Sequence, residues 1–422
     1  MKSLYQFFIC LYPFIAKLIA PYNIKAAEWI KGRLTVWEGL TQFANASTQP
    51  IIWMHCSSLG EFEQGLPVAE QLKSTFIHYR LLITFFSPSG YLVRKNHPIA
   101  NFVCYLPMDG AKNAALFLQL VQPKLAIFIK YEFWLYYLQG LKKRDIPTIL
   151  VSGIFREEQV FFKWYGNFYR NMLTCFSQLL VQDDHSRDLL SKIGLATATM
   201  VSGDTRFDRV ISIAQQPDSF ALITQFCQNE RIIVAGSTWS EDDKALHHLA
   251  LTHREIKFIV APHNIDQSRL NECLTYYPNA MLYSKYERDF IENKPFKNVQ
   301  TLIIDNMGML SKLYQFAEIA FIGGGFSEDG IHNTLEAAVY GVPVVFGPVY
   351  EKYLEAVELI NIGGAFSALD VIELEQIINQ LLNDAAMRIH CGSLAQKYIQ
   401  QKAGATQKVI DYIQENRLLT NE

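Results

Sequence analysis

Glu61 closes the run Cys56-Ser57-Ser58-Leu59-Gly60-Glu61, where small residues lead from an apolar stretch into a helical pattern. Such a turn presents amide hydrogens to an anion, and a carboxylate at a helix start is held ionised by the helix dipole. Facing a ligand, it can take a proton as a general base. A helix-capping glutamate is the plainer alternative. Glu132, in Lys130-Tyr131-Glu132-Phe133-Trp134, and Arg206, in Gly203-Asp204-Thr205-Arg206-Phe207-Asp208, are charges beside apolar runs that can serve a reaction or simply be solvated. In the second half, Ser237-Thr238 and Pro262-His263 each stand at the end of an apolar run. Ile322-Gly323-Gly324-Gly325-Phe326 follows another, and glycines permit a ligand to approach the backbone closely. Downstream, His332-Asn333-Thr334-Leu335-Glu336 reads as a loop entering a helix, with Glu336 able either to accept hydrogen bonds from a ribose diol or to cap. A glycine-rich loop paired with a polar helix start favours a nucleotide-bearing ligand.

Several chemistries are excluded. The triple glycine is not GxGxxG, and no GxxxxGK[ST] run exists, so neither common nucleotide fingerprint is present. No two aspartates are separated by a single residue, which removes the simplest reason to expect a divalent ion. His247-His248 lies in a helical stretch without a cysteine nearby and reads as surface. The seven cysteines are scattered without a CxxC pair, which fits a reducing compartment rather than a disulfide framework or a cysteine zinc site. A net charge of -3, from 38 basic and 41 acidic residues, argues against a general nucleic-acid binder.

The elements that must position these residues alternate. Apolar Val/Ile/Leu/Phe runs such as Ile51–Cys56, Leu125–Lys130, Arg231–Ala235 and Glu318–Ile322 read as strands buried on both faces of a parallel sheet. Helix-length stretches such as Glu61–Thr75, Asn113–Val121 and His332–Tyr340 lie between them. The class is therefore α/β. The alternation pauses at the polar, proline-bearing stretch Gln215–Ser219, which divides the chain near residue 212. The expected organisation is a segment 1–33, a Rossmann-like domain 34–212, and a second Rossmann-like domain 213–422, with a last helix of about Ala386–Asn416 that could pack on either domain. The two domains are expected to face each other across a cleft at the carboxyl ends of their strands.

Leu4–Ala16 carries no charge and is rich in Phe, Leu and Ile, but it is shorter than a bilayer span. No small-residue cleavage site of the A-x-A kind follows. Lys17, Lys25, Lys31 and Arg33 come next. Apolar residues followed by cations suit a helix lying in an anionic leaflet. The alternative is an amphipathic helix packed on the first domain.

The segments HCSSLGE, TFFSPSG, YLPMD, KYEFW, SGDTRFD, AGSTW, APHN, NMG, FIGGGF and GIHNTLEAA, followed by GVPVVFGP, run in order from about residue 50 to 365. As an ordered set they resemble the bacterial 3-deoxy-D-manno-octulosonic acid (Kdo) transferases of lipid A assembly. That resemblance implies a GT-B architecture with an N-terminal acceptor domain and a C-terminal donor domain. It implies an inverting enzyme that moves Kdo from CMP-Kdo to a lipid A precursor, lipid IVA, at the cytoplasmic face of the inner membrane, without cofactor or metal. On the matching positions, Glu61 would be the base, and Glu132 and Arg206 would assist charge development. Pro262, His263, Asn306, Met307, Gly308 and Asn333 through Glu336 would contact the nucleotide, joined by Ser237, Thr238, Gly324, Gly325 and His332. The sequence departs where Arg206 replaces the usual lysine, and where Ile154 stands in place of an arginine. Two other readings stay open: a GT-B enzyme for another sugar nucleotide, and a non-catalytic sugar-nucleotide-binding module.

Overall fold

The structure is a computed structural model that describes residues 1–216, 220–228, 230–292 and 298–420. The chain divides into two compact units. The first holds residues 1–209 and the segment from Ala403 onward, and the second holds Val210–Lys402.

In the first unit, β1 (Ile51–Cys56), β2 (Arg80–Phe85), β3 (Phe102–Tyr105), β4 (Leu125–Ile129), β5 (Thr148–Gly153), β6 (Gln178–Val181) and β7 (Thr199–Val201) form one parallel sheet. Their order is β3-β2-β1-β4-β5-β6-β7. Every residue of β1, β2, β4, β5 and β6 is buried, which is why these segments read as continuous apolar runs. In the second unit, β8 (Arg231–Thr238), β9 (Ile256–Pro262), β10 (Ala280–Leu282), β11 (Thr301–Ile303), β12 (Ile319–Ile322), β13 (Val344–Phe346) and β14 (Ala365–Ser367) form another. Its order is β10-β11-β9-β8-β12-β13-β14, again all parallel. The strand order reverses between β1 and β4 in one sheet and between β8 and β12 in the other. In open α/β sheets, ligands bind at the carboxyl ends of the strands at such a reversal.

Three strands are absent from the sequence reading: β7, β10 and β14. Each has three residues, lies at a sheet edge and is partly exposed, so it leaves no apolar run. The helix expected over His332–Tyr340 contracts to Leu335–Ala338. In the stretch read as the domain junction, Gln215 ends a helix, Thr205–Gln215, and residues 217–219 lie outside the described residues.

The last helix differs from its expected form, and its final part lies outside the second domain as bounded at 213–422. It is two helices, Ala385–Lys402 and Ala405–Glu415, broken at Gly404 with φ +101°. The second returns to the first unit. Val409, Ile410 and Ile413 join the core that contains Met54, Ile83 and Ile127. The Asp208 carboxylate accepts from the Gly404 and Thr406 amides and from the Thr406 hydroxyl, each at 2.6 Å. An amphipathic stripe shows that a helix has a core face, but not which sheet that face meets.

The N-terminal segment forms α1 (Lys2–Ile19), α2 (Ile24–Lys31) and α3 (Val36–Asn45). One face of α1 packs on the first unit. The Tyr5 hydroxyl donates to Asp109 at 2.6 Å, and its ring lies 5.9 Å from that of Phe168. Asp109 also accepts from the amides of Tyr136 and Tyr137 at the start of helix Leu135–Lys142. The opposite face leaves Phe7, Phe8, Phe14 and Leu18 exposed by 58–60%. Among the described residues no helix is long and apolar enough to cross a membrane. The segment is thus a packed helix with an unusually apolar outer face.

Candidate active site

Glu61 and Glu132 stand on the two sides of the first sheet's reversal, in the turns after β1 and β4. Ser58 caps α4 (Leu59–Thr75), and Glu61 is its third residue. The Ser58 amide and hydroxyl both donate to Glu61 Oε2, at 2.7 and 2.9 Å. This is the reciprocal half of a capping box. The capping role occupies Oε2, and among the described residues no protein donor is seen at Oε1. The helix start was expected to hold this carboxylate ionised. Burial and the nearby Glu132 charge outweigh it, and the Glu61 pKa is raised, tempered by the two Ser58 bonds and by His55. A raised carboxylate is the better proton acceptor.

Glu132 is 6% exposed. It follows Lys130, whose φ of +66° is unusual for a side-chain-bearing residue. Its Oε2 receives the Trp134 indole N–H at 2.6 Å and lies 3.0 Å from His55 Nε2. Arg206 opens helix Thr205–Gln215 and is tied to Asp204, with Nε 2.7 Å from Oδ2. Asp204 is held in turn by the Gln64 amide at 2.8 Å. The Arg206 charge also reaches Tyr131, where it opposes the upward push of burial on the phenol. Glu61, Glu132 and His55 therefore form one electrostatic group, with Arg206 reaching the loop that carries Glu132.

At the second reversal, Ser237 has φ +56° and its neighbour Thr238 is buried. The three glycines were expected to admit a ligand. Their first use is backbone-to-backbone packing. A Cβ on Gly323 would sit 2.4 Å from the Ser237 carbonyl oxygen, and one on Gly325 would sit 2.5 Å from the Gly347 nitrogen. Gly324 has φ +92°, and its amide donates to buried Asp242 at 2.7 Å. Asp242 also takes the Trp239 amide at 2.8 Å, yet burial raises its pKa to about 6.

The His263 ring stacks on both the Trp239 indole and the His332 ring, with ring centroids 4.7 and 4.5 Å apart. The Trp239 indole N–H donates to His332 Nε2 at 3.2 Å, which leaves His332 its proton at Nδ1. Burial and the adjacent His263 lower the His332 pKa to about 4, and burial lowers that of His263. Near neutral pH the stack is an uncharged, flat platform beside the glycine loop. His263 follows the last residue of β9, Pro262, and its amide donates to the Thr238 carbonyl. Asn333 donates to Glu336 at 3.0 Å and accepts from the Leu335 amide, so this pair is engaged in shaping the turn. The Thr334 hydroxyl is buried and has no partner among the described residues. Asn306, Met307 and Gly308 follow β11, which β9 separates from β8. Met307 is exposed there, and the Asn306 side-chain oxygen is buried without a partner among the described residues.

Among the described residues no group of three His, Cys, Asp or Glu side chains could hold a metal ion. Four residues of these sites escaped the sequence reading: His55, Trp134, Trp239 and Asp242. Asp242 had a readable signal, since it lies three residues after Trp239 at capping spacing. His55 had none, because a histidine inside an apolar strand run does not reveal its partner.

Residues 31–209 match the family model described as 3-deoxy-D-manno-octulosonic-acid transferase (kdotransferase). A 3-deoxy-D-manno-octulosonic acid transferase from Haemophilus influenzae is 26% identical over 418 residues, covering 95% of each chain. One from Aquifex aeolicus is 28% identical over 349 residues, covering 79% of this chain and 86% of its own. Among solved structures, UDP-GlcNAc 2-epimerase from Neisseria meningitidis superposes with a TM-score of 0.60 at 12% identity, over 86% of this chain and all of its own. That likeness bears on the fold alone, a pair of parallel α/β sheets of the GT-B type. Residues 31–209 belong to the 3-deoxy-D-manno-octulosonic-acid transferase family, and the chain as a whole is a relative of its members.

Proposed function

We propose that the protein is an inverting glycosyltransferase that moves Kdo from CMP-Kdo to a lipid A precursor, lipid IVA. The observation that carries this reading is Glu61: a partly buried carboxylate with a raised pKa, held through one oxygen at a sheet reversal, in a family of Kdo transferases. In the reaction the acceptor hydroxyl attacks the anomeric carbon of Kdo from the face opposite CMP. The new C–O bond forms as the C–O bond to the CMP phosphate breaks. Glu61 takes the hydroxyl proton, and CMP leaves with the bonding electrons. Negative Glu132 favours the positive charge that develops at the sugar carbon, and Arg206 favours the departing negative charge.

The donor would lie in the second unit, against Ser237, Thr238, Pro262, His263, Gly324, Gly325, His332, Asn333 and Glu336, with Asn306, Met307 and Gly308 as further contacts. The neutral Trp239-His263-His332 stack offers a flat surface beside the glycine loop. We place the enzyme on the cytoplasmic face of the inner membrane. The exposed apolar face of α1 and Lys17 support contact with a lipid surface, and no metal is assigned a role. The test is incubation of purified protein with CMP-Kdo and lipid IVA, with and without a chelator, and product masses read out. A mass gain of one or more Kdo units that survives the chelator supports the reading. Turnover of UDP- or GDP-sugars with none of CMP-Kdo refutes it.

A further inference from the structure

His55 is fully buried in β1, and both of its ring nitrogens are engaged. Nε2 lies 3.0 Å from Glu132 Oε2, and Nδ1 lies 2.8 Å from the Thr84 hydroxyl and 3.1 Å from the Thr84 carbonyl. The surrounding donors fix where the histidine proton sits. The Trp134 indole has one hydrogen, and Glu132 Oε2 at 2.6 Å is a nearer acceptor than His55 Nε2 at 2.9 Å. A bare Nε2 lone pair at 3.0 Å from a carboxylate oxygen would be repulsive, so Nε2 carries a hydrogen and donates it to Glu132. On the other side, the Trp53 indole donates to the Thr84 hydroxyl at 2.8 Å, and His55 Nδ1 meets both that hydroxyl and the Thr84 carbonyl. The result is a connected set of polar groups, Trp53, Thr84, His55 and Glu132, that ends on a single carboxylate oxygen.

We propose that His55 is a positioning residue for the transfer reaction. Together with Trp134 it holds Glu132 through Oε2, leaves Oε1 for the reacting sugar, and so fixes the orientation of that carboxyl beside Glu61. Two donors on one oxygen hold the buried side chain in a single geometry. The charged groups around this cluster are Glu61 and Glu132, and the buried Cys56 thiol, its pKa pushed up by burial, lies next to them. Glu132 acts on Glu61 upward and His55 acts on it downward. Freed from His55, Glu132 would keep one of its two donors and could swing away from the position in which it faces Glu61 and the reacting sugar.

The inference rests on the Kdo-transfer reading, and the test separates the two. In the full-length protein labelled with ¹⁵N-histidine, the ring-nitrogen shifts of His55, assigned by loss in His55→Gln, report its tautomer without any turnover. The expected result is a proton resident on Nε2. A proton on Nδ1 with bare Nε2 overturns the proposal. With CMP-Kdo and lipid IVA, His55→Asn, which cannot reach Glu132, should lower kcat about 30-fold or more, with KM changed less than about 3-fold. His55→Gln, which can place an N–H near the Nε2 position, should recover at least 10-fold of that loss. The acid limb of kcat/KM should move to lower pH in Glu132→Gln, which removes the charge that raises the Glu61 pKa. An unchanged kcat in His55→Asn, or no recovery in a folded His55→Gln, overturns the proposal. If wild type turns over no CMP-Kdo, the functional reading fails, and the tautomer measurement still decides whether His55 holds Glu132.

Discussion

Replacing Glu61 with glutamine separates its two roles, because the capping role survives the change and the basic role does not. Gln at the third helical position also closes a capping box, and its carbonyl oxygen can accept from the Ser58 amide and hydroxyl as Oε2 does now. The swap removes a partly buried charge that Glu132 disfavours, so stability should hold within about 0.5 kcal/mol or rise slightly. Turnover, by contrast, loses the group that accepts the acceptor's proton. Loss of a positioned general base costs about 10²–10⁴-fold, which corresponds to roughly 2.7–5.5 kcal/mol of transition-state stabilisation. The assay is CMP release at saturating CMP-Kdo and lipid IVA, with CMP affinity by calorimetry and a thermal melt on the same preparation. The CMP contacts proposed here all lie in the second unit, so CMP affinity should not change. Near-normal turnover would refute the assignment. So would a loss matched by a lowered melting temperature, because Glu61 would then be structural.

The raised Glu61 pKa places the acid limb of kcat/KM above the ordinary glutamate value of about 4.3, since only the ionised form accepts a proton. Ser58→Ala removes a bond that favours the charged form, so the limb should rise further and activity near pH 5 should fall more than near pH 8; a limb that stays put or falls contradicts this. Asp208→Ala strips three hydrogen bonds from the start of the last helix and should destabilise the fold by about 2–3 kcal/mol, read by denaturant melts; an unchanged midpoint would show the clamp to be incidental. Phe7→Ser, Phe8→Ser and Phe14→Ser should each weaken binding to anionic vesicles by at most about 3 kcal/mol, with the melt unchanged. Removal of residues 1–21 should instead lower the melt, because Asp109 loses Tyr5; a truncated protein as stable as the full chain would mean that α1 is not part of the first unit's structure.

The parallel sheets were legible because strands such as β1 and β4 are buried on both faces and therefore spell continuous apolar runs. Residues 217–219, in the stretch read as the domain junction, fall outside the described residues, but the sequence did show that β8 begins a new run. The edge strands were not legible, because three half-exposed residues carry no periodicity. Glu61 and Glu132 stood out as charges at strand ends, yet their mutual influence was invisible. It arises because β4 pairs directly with β1 in the sheet, which brings together turns far apart in the chain. His55 and Glu132 meet across 77 residues for the same reason. The glycine triplet was singled out for ligand approach, whereas its immediate use in the fold is packing: the contact of Gly325 with Gly347 is a long-range fact that local sequence does not contain.

The return of helix Ala405–Glu415 to the first unit makes the second unit an insertion within the first, joined to it by two covalent crossings rather than one. On the ribosome, the first unit cannot complete its core until helix Ala405–Glu415 has been made, because Val409, Ile410 and Ile413 are still missing. The second unit, with both of its ends already synthesised, can finish folding earlier. A chain that stops after Lys402 would carry a complete second sheet and a first unit with an uncovered apolar face. The first unit's core is therefore closed by a helix synthesised after the whole of the second unit.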